Sequence, residues 1–259
     1  MSTAAAVNHG VNGTELKPHE RHVPAAHWRN AKDEAEAAKL GMWLFLATEI
    51  LLFSGFFCAY TVFRYWYPAN WHEASRHYLS WKIGFANTVV LLLSSFTIVM
   101  AIRGAQTNRK WMIMVNLLIT QACAAFFLIV KIGWEYIPKI QKGELPGKNF
   151  TYPGHITHAA DAATATIAAH GADAAHAVTA AAGHAAEHAD YIPGAYDNIF
   201  LSIYWIATAT HGFHVFAGMI VIAWAMWLTM RDRYGPKHYT SLENVGLYWH
   251  LVDLIWIFL

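Results

Sequence analysis

Apolar residues in this chain gather into long runs separated by short polar connections, and the length of those runs is the first informative feature. A bilayer core about 30 Å thick needs roughly 20 mainly apolar residues in a helix that rises about 1.5 Å per residue. Five runs fit: Leu40 to Phe63, Ile83 to Ile102, Trp111 to Ile137, Ile199 to Met230 and Leu242 to Leu259. The pattern predicts an all-α integral membrane bundle of five transmembrane helices. The first run is broken only by Glu49, and the second carries no charge. The third ends with Lys131 and Glu135, where a long side chain can snorkel to water. The fourth has His211 and His214 but no Asp, Glu, Lys or Arg, and its 32 residues should tilt or begin at the interface. The fifth holds Glu243, His250 and Asp253.

Flanking charge sets the expected orientation. With the N-terminus inside, eleven Lys and Arg residues fall on the cytoplasmic side and six on the other, so the positive-inside rule puts the N-terminus in the cytoplasm and the C-terminus outside. Residues 1–39 hold no apolar core of signal-peptide length and read as a polar cytoplasmic lead-in, with Asp33, Glu34, Glu36 and Lys39 among alanines as a short helix feeding the first span. Residues 40–259 then form the transmembrane domain.

Composition changes this picture in one place. Charged residues make up 14% of the 259 positions, well below the roughly 25% of an average soluble domain, which argues against an ordinary soluble enzyme. Yet the mean hydropathy of +0.26 is low for five spans. The dilution comes from an Ala/His-rich insert within residues 150–195, on the outer side by the topology above. From His155 to Asp190 it has 17 alanines and six histidines and no Lys or Arg. Alanine favours helix but buries little, so this segment cannot build a core of its own. His184 and His188, one helical turn apart, would suit a metal. The irregular spacing of the other histidines and the lack of an accompanying cysteine favour a low-complexity insert instead.

A net charge of +1 gives no basis for nucleic-acid binding. Cys58 and Cys123 lie inside apolar runs and exclude a disulfide scaffold, a thiolate-bridged copper pair, a Cys-rich zinc site and a C-x-x-C-H haem attachment. Chemistry must therefore be sought among the ionisable residues at membrane depth, which are expensive and by default functional candidates. Counting from the cytoplasmic side, Glu49 lies about 14 Å deep, His250 about 12 Å and Asp253 about 16 Å. Glu49 is the candidate for proton movement or carboxyl reactivity. If the first and fifth helices are close, a Glu49–His250 hydrogen bond would offset the cost of burying the carboxylate. His250 and Asp253 read as interhelical hydrogen bonding. His211 and His214 share one face of the fourth helix at an outer depth where no other span offers a histidine, so they read as packing residues and not as haem ligands. Trp205, Trp224, Trp227, Trp249 and Trp256 read as membrane and interface aromatics.

Three segments carry a family resemblance. Lys39-Leu-Gly-Met-Trp-Leu-Phe-Leu-Ala-Thr-Glu-Ile-Leu-Leu-Phe-Ser-Gly55 continuing through Tyr60, Thr210-His-Gly-Phe-His-Val-Phe-Ala-Gly218, and Glu243-Asn-Val-Gly-Leu-Tyr-Trp-His-Leu-Val-Asp-Leu-Ile-Trp-Ile-Phe258 resemble, in order, subunit III of the haem-copper (aa3-type) cytochrome c oxidases. Asn87-Thr-Val and Trp134-Glu-Tyr extend the resemblance over most of residues 28–259. It implies the five-helix bacterial form, in a bacterial inner (plasma) membrane, acting as a non-catalytic subunit of a proton-translocating terminal oxidase in aerobic respiration. Such a subunit binds no metal. Haem and copper belong to subunits I and II, while subunit III packs on subunit I, holds phospholipid and supports proton uptake. Glu49 matches the family's carbodiimide-reactive glutamate, and His211, His214, Glu243, His250 and Asp253 match its other recurring polar positions. Arg231 and Arg64, just past the fourth and first spans, are the expected lipid-phosphate partners. The insert is outside the family's common core and is expected to touch cytochrome c or another respiratory complex in a supercomplex. The alternatives are subunit III of a quinol oxidase, the accessory protein of nitric oxide reductase, and a freestanding proton or solute transporter using Glu49.

Overall fold

The computed structural model describes residues 28–141, 197–236 and 238–259, which leaves the insert and most of the lead-in outside the described residues. The elements in chain order are α1 (Ala31–Trp66), α2 (Pro68–Tyr78), α3 (Trp81–Gln106), α4 (Lys110–Val130), a π-helical turn (Lys131–Tyr136), α5 (Ile137–Gln141), α6 (Asp197–Met230) and α7 (Thr240–Phe258). Pairing between strands is limited, among the described residues, to an isolated bridge between Gly235 and His238.

Each helix end has a local cause. At the start of α1, the Asn30 carboxamide accepts the Asp33 backbone N–H at 2.8 Å, and Asp33 and Glu34 place negative charge on the first turn. Pro68 opens α2, where its missing N–H costs nothing. Helices α3 and α6 end alike. Asn108 and Asp232 adopt φ of 55° and 54°, and Arg109 N–H and Arg233 N–H reach back to the Gly104 and Leu228 carbonyls, closing two Schellman caps. Lys110 then joins these two ends, donating to the Met230 carbonyl at 3.2 Å and pairing with Asp232 at 3.0 Å.

Four helical stretches are long and apolar enough to cross a bilayer: α1, α3, α4 continued to Gln141, and α6. At about 1.5 Å per residue the 36 residues of α1 reach about 54 Å, so its polar ends project beyond the hydrocarbon. The fifth expected run forms the 19-residue helix α7, which is not among the helices apolar enough to cross. It is nonetheless deeply packed, with ten buried residues from Leu242 to Trp256, whereas α1 buries only Leu46 and Phe53. The exposed side of α1 carries Leu40, Trp43, Leu44, Ile50 and Leu51. Phe213, Phe216, Ile220, Trp224 and Trp227 form a bare apolar stripe along α6, of a size that water would not tolerate but acyl chains would. The protein is an all-α, multi-pass membrane protein.

The contacts divide into two compact units: Met1–Phe53 with Gly84–Val130 and Thr210–Leu259, and Ser54–Ile83 with Lys131–Ala209. In the first, Trp249 of α7 is fully buried in a core with Leu91 and Ile98 of α3, Leu117 and Phe127 of α4 and Val215 and Ile222 of α6. Gly218 makes this packing possible, because a Cβ there would lie 2.8 Å from the Trp249 ring. In the second unit, Trp71, Ala74 and Tyr78 of α2 pack with Phe200 and Leu201, and the Trp71 ring meets Phe200 edge-on at 5.1 Å.

Candidate functional site

The first unit holds two polar clusters at membrane depth. Glu49 projects from α1 and His214 from α6, with Oε2 and Nε2 2.7 Å apart and both side chains only about 15% exposed. The other ring nitrogen, Nδ1, lies 2.7 Å from the Thr210 carbonyl. A carbonyl oxygen only accepts, so Nδ1 carries a proton. A neutral imidazole would then turn a bare Nε2 lone pair toward the carboxylate, an arrangement that repels. Oε2 takes no well-aligned hydrogen bond, so the contact is one of charge and distance: with one further proton the pair is imidazolium with carboxylate or imidazole with carboxylic acid. Either form is neutral as a pair, which makes its burial affordable. The Phe53 ring covers His214 edge-on at 5.3 Å, and the Tyr248 hydroxyl donates to the His214 carbonyl at 2.9 Å, tying α7 to the same turn of α6.

The expectation that His250 would meet Glu49 is corrected here. His250 and Asp253 of α7 turn to α3, where Ser95 Oγ lies 2.9 Å from His250 Nδ1 and donates to Asp253 Oδ2 at 2.5 Å. One residue away, Trp249 Nε1 donates to Ser94 Oγ at 2.9 Å, and Thr97 and Thr120 pair at 2.8 Å. Depth alone suggested the wrong partner, and His214, expected at an outer level without a counterpart, is the residue that reaches Glu49.

The remaining candidates occupy separate places. His211 is fully buried, stacked on Trp256 at 5.2 Å with Phe127 and Phe53 edge-on. Glu243 pairs with Lys39 at 2.7 Å at the polar ends of α7 and α1. Lys39 stands ahead of the apolar run, and its hydrogen bond to Glu243 holds the ammonium above lysine's ordinary range. Arg231 lies over the Trp227 ring at 4.0 Å, beside an open groove of about 360 Å³ lined by Trp227, Leu228, Arg231 and Arg233. Arg64 lies 6.0 Å from the Tyr60 ring centroid.

In the second unit, Lys131 does not snorkel. Only 4% exposed, it donates to Glu135 at 2.7 Å and to the Tyr204 hydroxyl at 2.8 Å, while Lys139 reaches the other Glu135 oxygen at 3.4 Å and sits over the Tyr204 ring. The π-helical turn carrying Lys131 and Glu135 lies within this cluster, and Tyr136 from the same turn hydrogen-bonds Thr208.

Comparison with known proteins shows what this sequence is similar to. The model of the family described as "Cytochrome c oxidase subunit III" matches residues 147–259, a stretch that includes His211, His214, Glu243, His250 and Asp253. A "Probable cytochrome c oxidase subunit 3" of Nocardia farcinica is 25% identical over 223 residues, covering 84% of this chain and 82% of the relative. A protein of the same description from Mycobacterium leprae is 23% identical over 223 residues, with the same coverage. The chain is similar to cytochrome c oxidase subunit III over most of its length. The "Cytochrome c oxidase subunit 3" of Prototheca wickerhamii is 24% identical over 230 residues, and the chain spans 66% of that protein's length. Glu49 lies ahead of the stretch that the family model matches, and its contact with His214 joins it to the polar residues inside that stretch.

Proposed function

We propose that the chain is the non-catalytic subunit III of a bacterial terminal cytochrome c oxidase in the inner membrane, that it stabilises the haem-bearing subunit I, and that its Glu49–His214 pair supports proton uptake during sustained turnover. The observation that supports the proton role is the 2.7 Å approach of a buried carboxyl oxygen to an imidazole ring nitrogen. Such a pair can take up or release a proton with a small rearrangement, at a depth where isolated ionised groups are costly. Oxygen chemistry and electron entry belong to subunits I and II, which hold the haem and copper. Five spans, α1, α3, α4 with α5, α6 and α7, cross the membrane with the N-terminus in the cytoplasm. Arg231 and its groove hold a lipid phosphate against Trp227, and Arg64 serves a second lipid. The insert touches cytochrome c or a neighbouring respiratory complex, so deleting residues 155–190 should weaken cytochrome c turnover; unchanged assembly and turnover would dismiss that part.

Replacing Glu49→Gln in the assembled complex tests the proton role. Assembly with the haem-bearing subunit should persist, and activity should decay faster over many turnovers. An inactivation curve that overlays the wild type would leave the pair a structural contact.

A further inference from the structure

We infer that Ser95, His250 and Asp253 form a proton-holding site between α3 and α7, in which one exchangeable proton passes between the Asp253 carboxyl and the His250 ring through the Ser95 hydroxyl. The site lies near the middle of a helix long and apolar enough to cross a bilayer: Ser95 stands fourteen residues after Trp81 and eleven before Gln106, about 16–21 Å from the ends of α3. Asp253 is 3% exposed, and its Oδ1 meets no donor among the described residues. Its Oδ2 has the Ser95 hydroxyl at 2.5 Å. The neighbouring serine gives it nothing, since Ser94 donates to the Leu91 carbonyl and accepts from Trp249 Nε1. Cys123 approaches from α4 and brings no positive charge. The described lysine ion pairs lie elsewhere, on Glu36, Glu243, Asp232 and Glu135. A buried carboxylate with one hydroxyl and no cation is costly, whereas one added proton makes the cluster neutral.

Ser95 is what lets that proton move. Its hydroxyl stands 2.9 Å from His250 Nδ1 as well as 2.5 Å from Asp253 Oδ2, and a hydroxyl both donates and accepts. In one state His250 is imidazolium: Nδ1–H donates to Ser95, and Ser95 donates to a carboxylate. Transfer breaks the Nδ1–H bond and forms a new Ser95 O–H bond, while the original Ser95 O–H breaks and its proton binds Asp253 Oδ2. The result is a carboxylic acid that donates to Ser95, which donates to a neutral imidazole. Proton count and net charge are unchanged, no heavy atom has to travel, and Nε2 carries a proton in both states. The Glu49–His214 pair has no such intermediary, and the Thr210 carbonyl pins its Nδ1 proton. The three residues belong to one chain, so the site is complete whatever lies against the outer face of α3 and α7.

Nitrogen NMR and infrared spectroscopy test this on the protein reconstituted in lipid at neutral pH, with the subunits that accompany it. The His250 Nε2 signal should be that of a protonated nitrogen, and Nδ1 should lie between its protonated and free limits. A carboxylic-acid carbonyl band that shifts in D2O should be lost in Asp253→Asn and kept in Glu49→Gln. Ser95→Ala should drive Nδ1 to one limit, and Ser95→Thr, which keeps the hydroxyl, should restore the intermediate value. A free Nε2 in the wild type would show that the added proton is absent. A fully protonated Nδ1 with no Asp253 band would show a fixed ion pair. Either result overturns the inference, and both are read from the unaltered sequence if Asp253→Asn fails to assemble, because the band is then sought in Glu49→Gln alone.

Discussion

The pair between α1 and α6 and the cluster between α3 and α7 present one problem with two solutions. Glu49 and His214 face each other: their polar atoms lie 2.7 Å apart, Thr210 holds the far nitrogen, and Phe53 covers the ring. Ser95, His250 and Asp253 form an asymmetric chain, in which Ser95 gives its proton to Asp253 and His250 is left with an outward nitrogen. A closed pair is suited to holding a proton inside one subunit. An open chain ties α3 to α7.

The contrast predicts unequal costs. His214→Leu removes the base that shares the Glu49 proton and leaves a buried carboxyl alone, and it should cost about 3 kcal/mol or abolish assembly, whereas the double variant Glu49→Gln with His214→Leu should recover part of that loss. Yield and thermal midpoint of the purified complex read both, and a double variant no better than His214→Leu would mean the two residues are independent. Gly218→Ala comes next. Its methyl would meet the Trp249 ring at 2.8 Å and displace the donor held by Ser94, at about 1–3 kcal/mol. A thermal midpoint equal to wild type would show that Trp249 can shift freely.

Smaller effects belong to the open cluster and the polar ends. Ser95→Ala removes both contacts of the chain and should cost about 1 kcal/mol, less than His214→Leu because α3 and α7 keep their apolar packing. Smallest is Glu243→Gln, which loosens a partly exposed pair with Lys39 and should cost about 0.5 kcal/mol, less at high salt. Because the pair raises the lysine, its contribution is complete at neutral pH and is lost only as alkali titrates the folded ammonium. A Glu243→Gln effect that vanished at pH 7 and grew in alkali would reverse this sign.

The helices were legible in the sequence because crossing a bilayer demands a run length that few other structures need. The polar residues were legible because charge at membrane depth is rare. Their partners were not. Counting residues gives depth along an axis but not which way a helix face turns, and so Glu49, His250 and Asp253 shared a level while Glu49 in fact faces α6. His214 was set too near the outer side because a 34-residue helix exceeds the bilayer, and depth counted from its first residue carries the excess. Ser95 passed as neutral filler in an uncharged run, since a serine acquires meaning only from its neighbour across the helix pair. Lys131 was read by distance from the end of its run, whereas it lies buried against Glu135 and Tyr204 beneath the next helix of its unit.

The shared proton is the point on which the account turns, and nitrogen NMR of His214 in the reconstituted complex addresses it directly. The account predicts a protonated Nδ1 and an Nε2 whose signal is that of a nitrogen bound to or strongly sharing a proton, and which shifts on Glu49→Gln. A free, unprotonated Nε2 signal that is the same in the wild type and in Glu49→Gln would contradict it.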